Sequence, residues 1–104
     1  MSGDQDNLAV RNNEAEKRFE IDVDGKLAIL EYIPAGRNIS YTHTEVPREL
    51  EGMGIGGKLA RHALEFARDH DLKVIPICPF VTSYLRRHPE YQPLVFGYKP
   101  KSDD

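Results

Sequence analysis

The sequence predicts a single α+β domain in which two helices cover one mainly antiparallel sheet. Its 104 residues are enough for one compact domain. A period-2 apolar run that ends in Asp-Gly predicts an antiparallel hairpin, and a glycine-rich stretch before an amphipathic run predicts a strand-to-helix connection. We place the domain at residues 13–98, between a disordered polar tail at residues 1–12 and a second tail at residues 99–104.

Three strands are expected in the first half of the domain. Apolar and acidic residues alternate in Arg18–Val23, which is typical of a half-buried strand. Asp24-Gly25 accommodates a type I′ turn, so the apolar run Lys26–Ile33 is expected to form the second strand of a hairpin. Pro34–Gly36 interrupts that strand, and the β-branched residues that follow predict a third strand over Ile39–Val46.

A helix, a strand and a second helix are expected in the second half. Apolar residues recur at helical spacing over Leu59–Ala67, with charged residues on the other side. Leu72–Ile77 is expected to form a short buried strand beside the third strand, and Pro79 suits the first turn of a helix over Phe80–Arg87. Tyr91–Tyr98 is a candidate final strand, so the predicted order is βββαβα with this optional addition.

Composition excludes several classes of protein. The chain has 14 Lys and Arg against 17 Asp and Glu, a formal net charge of -3, which gives no global positive field for nucleic acid. No apolar run approaches the ~20 residues of a membrane span, and the polar amino terminus predicts no secretion signal. The single cysteine, Cys78, makes neither a disulfide nor a zinc site of its own. The sequence therefore predicts a cytoplasmic protein with no nucleic-acid or membrane partner.

Glycines at 52, 54, 56 and 57 lie between a predicted strand and a predicted helix, where main-chain N–H groups favour a phosphate. The stretch Gly52–Gly57 followed by Lys58 approaches a Walker A loop, but Leu59 stands where a hydroxyl should hold Mg²⁺. It also approaches the dinucleotide fingerprint, but the following strand lacks the acidic residue that would hold a ribose. Neither nucleotide interpretation is therefore favoured.

A third interpretation rests on residues beyond these glycines. Glu51–Gly56 resembles the Gln/Arg-x-x-Gly-x-Gly/Ala loop of the GNAT acyltransferase superfamily, although Glu51 departs from its first position. Cys78-Pro-Phe and His88-Pro-Glu-Tyr91 are similar to runs in the small single-domain GNAT-like proteins, and the resemblance covers about residues 13–95. It implies a GNAT-like fold whose sheet is splayed between the third strand and the strand after the first helix.

The resemblance also implies acetyl-CoA as co-substrate, with its pantetheine arm between the splayed strands and Val46 at the end of the first of them. The residues that it places around the pyrophosphate are Met53, Gly54, Ile55, Gly56, Gly57 and Lys58. Arg86 and Arg87, in the second predicted helix, are candidates for the phosphate at the nucleotide end. For each of these basic residues a solvated helix face is the competing interpretation.

Three side chains are candidates for catalysis. Cys78 is expected where a strand ends and a helix begins, so the helix dipole favours its thiolate; the alternative is a buried thiol that packs as a small hydrophobe. His43 is the candidate base, because imidazole titrates near neutral pH, and uninterrupted alternation places it on the same face as Tyr41. Tyr84 is the candidate acid, carried over from the resemblance although its spacing from Cys78 departs from the family's.

The resulting expectation is an acetyl-CoA-dependent N-acetyltransferase that transfers an acetyl group to an amine by direct attack. The alternative is a non-catalytic module that uses the same cleft to bind CoA, acyl-CoA or a protein. We expect a monomer or a weak homodimer. Because the short chain has no counterpart of the helices that shape the acceptor pocket in many GNAT enzymes, an open acceptor face is also expected.

Overall fold

The computed structural model describes residues 8–100 as one sheet with helices packed against it. The five strands are β1 (Arg11–Asn13), β2 (Arg18–Val23), β3 (Lys26–Ala35), β4 (Asn38–Glu45) and β5 (Lys73–Pro76). The helices are α1 (Ile55–Asp69) and α2 (Pro79–Arg87), with short 3₁₀ helices at Arg48–Leu50 and Pro89–Leu94. The strands lie in chain order, the first four antiparallel and β5 parallel to β4. The predicted α+β class is confirmed.

The hairpin formed by β2 and β3 has the predicted turn. Asp24 and Gly25 both have positive φ angles, of 53° and 83°, as a type I′ turn requires. β3 continues past its predicted end and includes Pro34, which pairs with Ile39. Because Pro34 lies beside the turn into β4, where the hydrogen-bond ladder ends, its missing N–H costs little.

The amino-terminal segment differs from the prediction of a tail over residues 1–12. Arg11–Asn13 forms β1 and pairs with β2, while Leu8 and Val10 pack against the hydrophobic core. The short polar segment forms a strand because β2 provides backbone hydrogen-bond partners for it. This tertiary effect cannot be recognised from local composition. Residues 1–7 and 101–104 lie outside the described part of the chain.

A buried carboxylate fastens β1 to the sheet. Glu20 is 2% exposed and accepts hydrogen bonds from Arg11, from Asn13 at 2.9 Å and from Arg18 at 2.6 Å. Burial by itself raises the pKa of Glu20, but these hydrogen bonds outweigh it and lower the pKa to about 2. Glu20 is therefore ionised in the folded protein at any ordinary pH.

A β-bulge in β4 decides which of its side chains face the helices. Tyr41 and His43 pair with consecutive residues of β3, so Thr42 between them is the extra residue of the bulge. Tyr41 is buried on the helix-covered face. Beyond the bulge, Thr44 pairs with the buried Leu30 and takes that face, so His43 faces the opposite side of the sheet. The predicted face for His43 is therefore wrong.

Helix α1 has the predicted amphipathic character and supplies the centre of the core. It begins at Ile55, earlier than the apolar repeat alone predicts, so Gly56 and Gly57 lie in its first turn. Its buried residues are Ile55, Gly56, Leu59, Ala60, Ala63, Leu64 and Ala67. The alanines let the helix approach the sheet closely enough for the Tyr41 hydroxyl to donate to the carbonyl of Ala63 at 2.5 Å.

The carboxy-terminal segment is not the candidate final strand. Pro89–Leu94 forms a 3₁₀ helix, because its two prolines remove backbone donors that a ladder would need. A single bridge joins Val95 to Val74 along the outer edge of β5. Among the described residues, no helix combines the length and apolarity that a bilayer crossing needs.

Candidate active site

Among residues 8–100, no strand pairs with the end of β4 on the side where β4 and β5 diverge. β5 pairs with Asn38–Tyr41 only, and the carbonyl of Tyr41 accepts the last bonds, from the N–H groups of Ile77 at 3.1 Å and Cys78 at 2.9 Å. The chain then turns into α2 at Pro79, so β5 ends while β4 continues through Glu45. The splayed sheet that the resemblance implies is present, and it leaves main-chain groups of β4 open to a ligand.

The glycine loop leads directly into α1 and leaves the start of that helix free. Gly54 is the N-terminal cap with φ of 74°, a left-handed conformation that disfavours residues with a Cβ. It provides no side-chain cap, and the first turn of α1 has no acidic residue. The N–H groups of that turn are therefore available to an anion, which the helix dipole also favours.

A second glycine of the loop packs against an aromatic side chain. A Cβ on Gly56 would lie 2.5 Å from Cζ of Phe80, so the Phe80 ring rests directly on the first turn of α1. The loop glycines therefore serve two purposes, because Gly54 permits the backbone turn and Gly56 admits an aromatic ring.

The loop and the open edge of β4 belong to one cleft of about 520 Å³, a size suited to a small-molecule ligand. Its lining comes from β4, the glycine loop, the start of α1 and α2. The residues are Thr44, Val46, Leu50, Glu51, Gly52, Gly54, Ile55, Gly56, Gly57, Phe80 and Arg87. The structure thus brings together Val46, Gly54, Ile55, Gly56, Gly57 and Arg87 of the predicted cofactor-binding set.

The other predicted cofactor-binding residues lie elsewhere. Met53 packs against the hydrophobic core, and Lys58 lines a polar pocket beside Arg61 and His62 on α1. Arg86 projects into a second cleft that contains Phe96. Because successive residues of a helix point about 100° apart, neighbouring arginines on α2 serve different surfaces, and only Arg87 reaches the glycine-loop cleft.

Cys78 lies behind the cleft rather than in it. It caps the start of α2, is 3% exposed, and its Sγ lies 3.2 Å from Oγ1 of Thr44 across the gap between the strands. Either atom can donate this hydrogen bond. The hydroxyl of Thr44 thus connects the cleft to the thiol, a contact that depends on the bulge at Thr42 because the bulge turns Thr44 toward the helices.

His43 and Tyr84 are not brought together with Cys78 in the cleft. His43 is exposed on the side of the sheet away from the helices, opposite Glu31. Tyr84 is 7% exposed, packs near Gly57 and stacks on His88 with ring centroids 4.0 Å apart. Burial raises the pKa of the Tyr84 hydroxyl, which keeps its proton in place at neutral pH.

Five residues that line the cleft were outside the predicted site set, namely Thr44, Leu50, Glu51, Gly52 and Phe80. Phe80 shares one face of α2 with Tyr84 and Arg87, and the i, i+4, i+7 spacing would have placed it beside the loop. No local signal identifies Thr44, since its direction depends on a bulge that forms only when β4 pairs with β3.

Comparison with known proteins agrees with this geometry. The family model of the GCN5-related N-acetyl-transferases matches residues 18–94. Protein NATD1 of Mus musculus is 32% identical over 85 residues, covering 79% of this chain and 77% of that protein. Protein NATD1 of Danio rerio is 30% identical over 89 residues, covering 81% of each chain.

A solved structure shows the same fold. The NMR structure of a GCN5-like protein from Staphylococcus aureus superposes with a TM-score of 0.70 at 32% sequence identity, covering 99% of this chain and 98% of that chain. The matched family segment runs from β2 through the 3₁₀ helix after α2 and so contains the whole cleft. This chain belongs to the family of GCN5-related N-acetyltransferases.

Proposed function

We propose that this protein transfers an acetyl group from acetyl-CoA to an amine acceptor. The observation that carries the proposal is a single cleft that joins the free first turn of α1 to the unpaired edge of β4. A helix start binds phosphate, and a free strand edge pairs with amide groups. Acetyl-CoA contains both kinds of group, and the family generally uses it.

The residues present fit that ligand. The N–H groups at the start of α1 would hold the pyrophosphate, and the guanidinium of Arg87 would add a charge-assisted contact at the phosphate end of the cleft. The backbone from Thr42 to the end of β4, together with Val46 just after it, would pair with the amides of the pantetheine arm. The inner end of the cleft then lies at Thr44, with Cys78 buried behind it.

When bound, acetyl-CoA supplies an activated acyl thioester, and the protein has to orient it and manage protons. The Thr44 hydroxyl and the Cys78 thiol form one hydrogen-bonded pair at the inner end of the cleft, where a donor would stabilise the departing sulfur. Because Cys78 is buried and already engaged, we assign it to this pair rather than to nucleophilic attack.

The acceptor side is the face of the sheet that carries His43. The helices pack on the other face, so the gap beyond Tyr41 remains open toward His43. An amine that enters from this side would meet the exposed imidazole of His43, which we propose as the base that takes its proton. An open face of this kind would leave the acceptor site reduced, and the partners that we propose are acetyl-CoA and an amine.

The alternative, a CoA-binding module without catalysis, is favoured by one observation. The side chains with titratable groups that line the cleft are Glu51 and Arg87, and no histidine is among the lining residues. A module of this kind would bind acetyl-CoA but would release no thiol from it when an amine is added.

Two measurements test the proposal on the full chain. Calorimetry with acetyl-CoA is expected to show saturable binding, and a thiol-release assay over a panel of peptides, polyamines and small amines is expected to identify at least one acceptor. Absence of binding at millimolar acetyl-CoA would contradict both the enzyme and the binding module. Binding with no thiol release for any amine would favour the module.

The two roles considered for Cys78 are separated by substitution. If the thiol only donates a hydrogen bond, Cys78→Ser is expected to retain most of the turnover and Cys78→Ala to reduce it about tenfold to a hundredfold. Complete loss of turnover in both variants, together with an acetylated Cys78 detected by mass spectrometry of the wild type, would instead indicate a covalent intermediate.

A further inference from the structure

Phe80 is an aromatic residue that lines the cleft and remains partly exposed. Its ring is 38% exposed although most aromatic residues of this protein are buried, and it lies between the glycine loop and the carboxyl end of β5. Cys78 caps α2 and Pro79 occupies its first position, which fixes the backbone so that the next residue projects over the start of α1. The Cys-Pro-Phe run therefore serves to place this ring.

The ring is held where it is by the loop itself. Its Cζ atom lies at the position that leaves no room for a Cβ on Gly56, so the edge of the ring touches the first turn of α1 while the remainder faces the cleft. Val46 and Leu50 line the same cleft. The cleft thus combines apolar side chains with the anion-binding helix start and with Thr44, the partner of Cys78.

We propose that Phe80 makes this cleft select ligands that carry a pantetheine arm over bare nucleotides, an inference that rests on the acetyl-CoA site proposed above. The arm presents geminal methyl groups between its pyrophosphate and its amides. Burying those methyls against an exposed aromatic face removes apolar surface from water on both partners. A nucleotide without the arm gains nothing from the ring, because it ends at the phosphates.

The test compares two ligands that share the phosphate end of the molecule. CoA and 3′-phospho-ADP are titrated by calorimetry into the wild type, Phe80→Ala and Phe80→Leu. We expect Phe80→Ala to weaken CoA binding about tenfold and to leave the affinity for 3′-phospho-ADP within twofold, with an intermediate effect for Phe80→Leu. Phe96→Ala is the matched control, since Phe96 is 59% exposed and lines the second cleft instead.

A second readout does not depend on any variant. In the wild type with bound CoA, intermolecular nuclear Overhauser effects are expected between the Phe80 ring protons and the geminal methyls of the arm. Equal loss of affinity for both ligands in Phe80→Ala, or unchanged CoA affinity, would overturn the role of the ring. Failure of the wild type to bind either ligand would instead overturn the acetyl-CoA site itself, so the two failures are distinguishable.

Discussion

At the scale of single residues, contacts explain more of the glycine-rich loop than its motif does. The left-handed backbone at position 54 favours glycine, whereas at position 56 a Cβ would collide with the ring of Phe80. Gly57 has no comparable constraint, because a Cβ there would meet only Tyr84 at the ordinary distance of 3.8 Å. A glycine in a phosphate-binding motif can thus be explained by the protein's own packing.

Because Gly56 packs against Phe80, the effect of Gly56→Ala on the free energy of unfolding is predicted to change sign when the Phe80 ring is removed. In the wild type, Gly56→Ala is expected to lower the free energy of unfolding by about 1 kcal/mol, because the added methyl displaces the ring. In a Phe80→Ala background the same change is expected to raise it by about 0.5–1 kcal/mol, since alanine is the better helix former. Urea unfolding of the four proteins measures both values, and equal effects in the two backgrounds would refute the coupling.

At the scale of secondary-structure elements, the direction of a side chain depends on what the element packs against. Helix α2 presents Phe80, Tyr84 and Arg87 toward α1, while Arg86 faces the second cleft. Strand β4 changes direction at its bulge, so Thr44 faces the helices and His43 does not. Neighbouring residues in the sequence therefore belong to different sites.

The two arginines of α2 provide a matched pair for testing this. Arg87→Gln is expected to weaken CoA binding about tenfold at low ionic strength, with a smaller effect at high salt because the contact is exposed. Arg86→Gln, with the same change of charge, is expected to alter the affinity by less than twofold. Calorimetry at two salt concentrations measures this, and equal effects of the two substitutions would contradict the assignment of Arg87.

The attachment of β1 to β2 predicts a sensitivity to acid. The pKa of Glu20 is about 2, below its ordinary value of 4.5, so its ionised form stabilises the fold above pH 4.5 and this contribution is lost as the pH falls toward 2. Glu20→Gln is expected to lower Tm by several degrees at pH 7. This difference in Tm from the wild type is expected to shrink as the pH falls from 4.5 toward 2. Thermal unfolding at several pH values measures it; a constant difference would contradict the role of the carboxylate.

At the scale of the whole molecule, segments near both ends of the described chain pack against the core that supports the cleft. The segment after α2 lies where a final strand was expected, and its Phe96 donates its N–H to the carbonyl of Val74 at 2.8 Å. From within α2, Thr82 donates its hydroxyl to the carbonyl of Pro76 at 3.3 Å. These contacts occupy the outer edge of β5, and Pro76 has no N–H to offer there. The carbonyls of this edge are therefore occupied, whereas the edge of β4 inside the cleft stays free for a ligand.

The carboxy-terminal segment is also fastened to α1, and this contact predicts a sensitivity to alkali. The Tyr91 hydroxyl donates to the carboxylate of Glu65 at 2.8 Å, and burial together with that bond raises the pKa of Tyr91 to about 12. Because the folded state holds this proton more tightly, its contribution to stability is lost as the pH rises from 10 toward 12. Tyr91→Phe is expected to cost about 1 kcal/mol at pH 7 and less at pH 12. Chemical unfolding at both values measures this; an unchanged cost at pH 12 would contradict it.

Local patterns predicted the elements whose cause is local. The Asp24-Gly25 turn, the apolar face of α1 and the proline at the start of α2 are recognisable without any partner, and each is confirmed. The strand β1 was missed because Arg11–Asn13 has no apolar pattern of its own and is held by pairing and by Glu20. The final strand was wrong because two prolines favour a 3₁₀ helix over a ladder.

Local sequence patterns were sufficient to predict the class of fold, the order of α1, β5 and α2, and the glycine loop that indicates an anion site, since turns, periodicity and glycine content are local properties. Tertiary structure alone decided which residues meet in the cleft. The bulge at Thr42, the split between Arg86 and Arg87, and the contact of Phe80 with Gly56 all arise from packing between elements distant in sequence. A side chain's direction is set by the partner strand or helix that it packs against, and no local window of the sequence contains that partner.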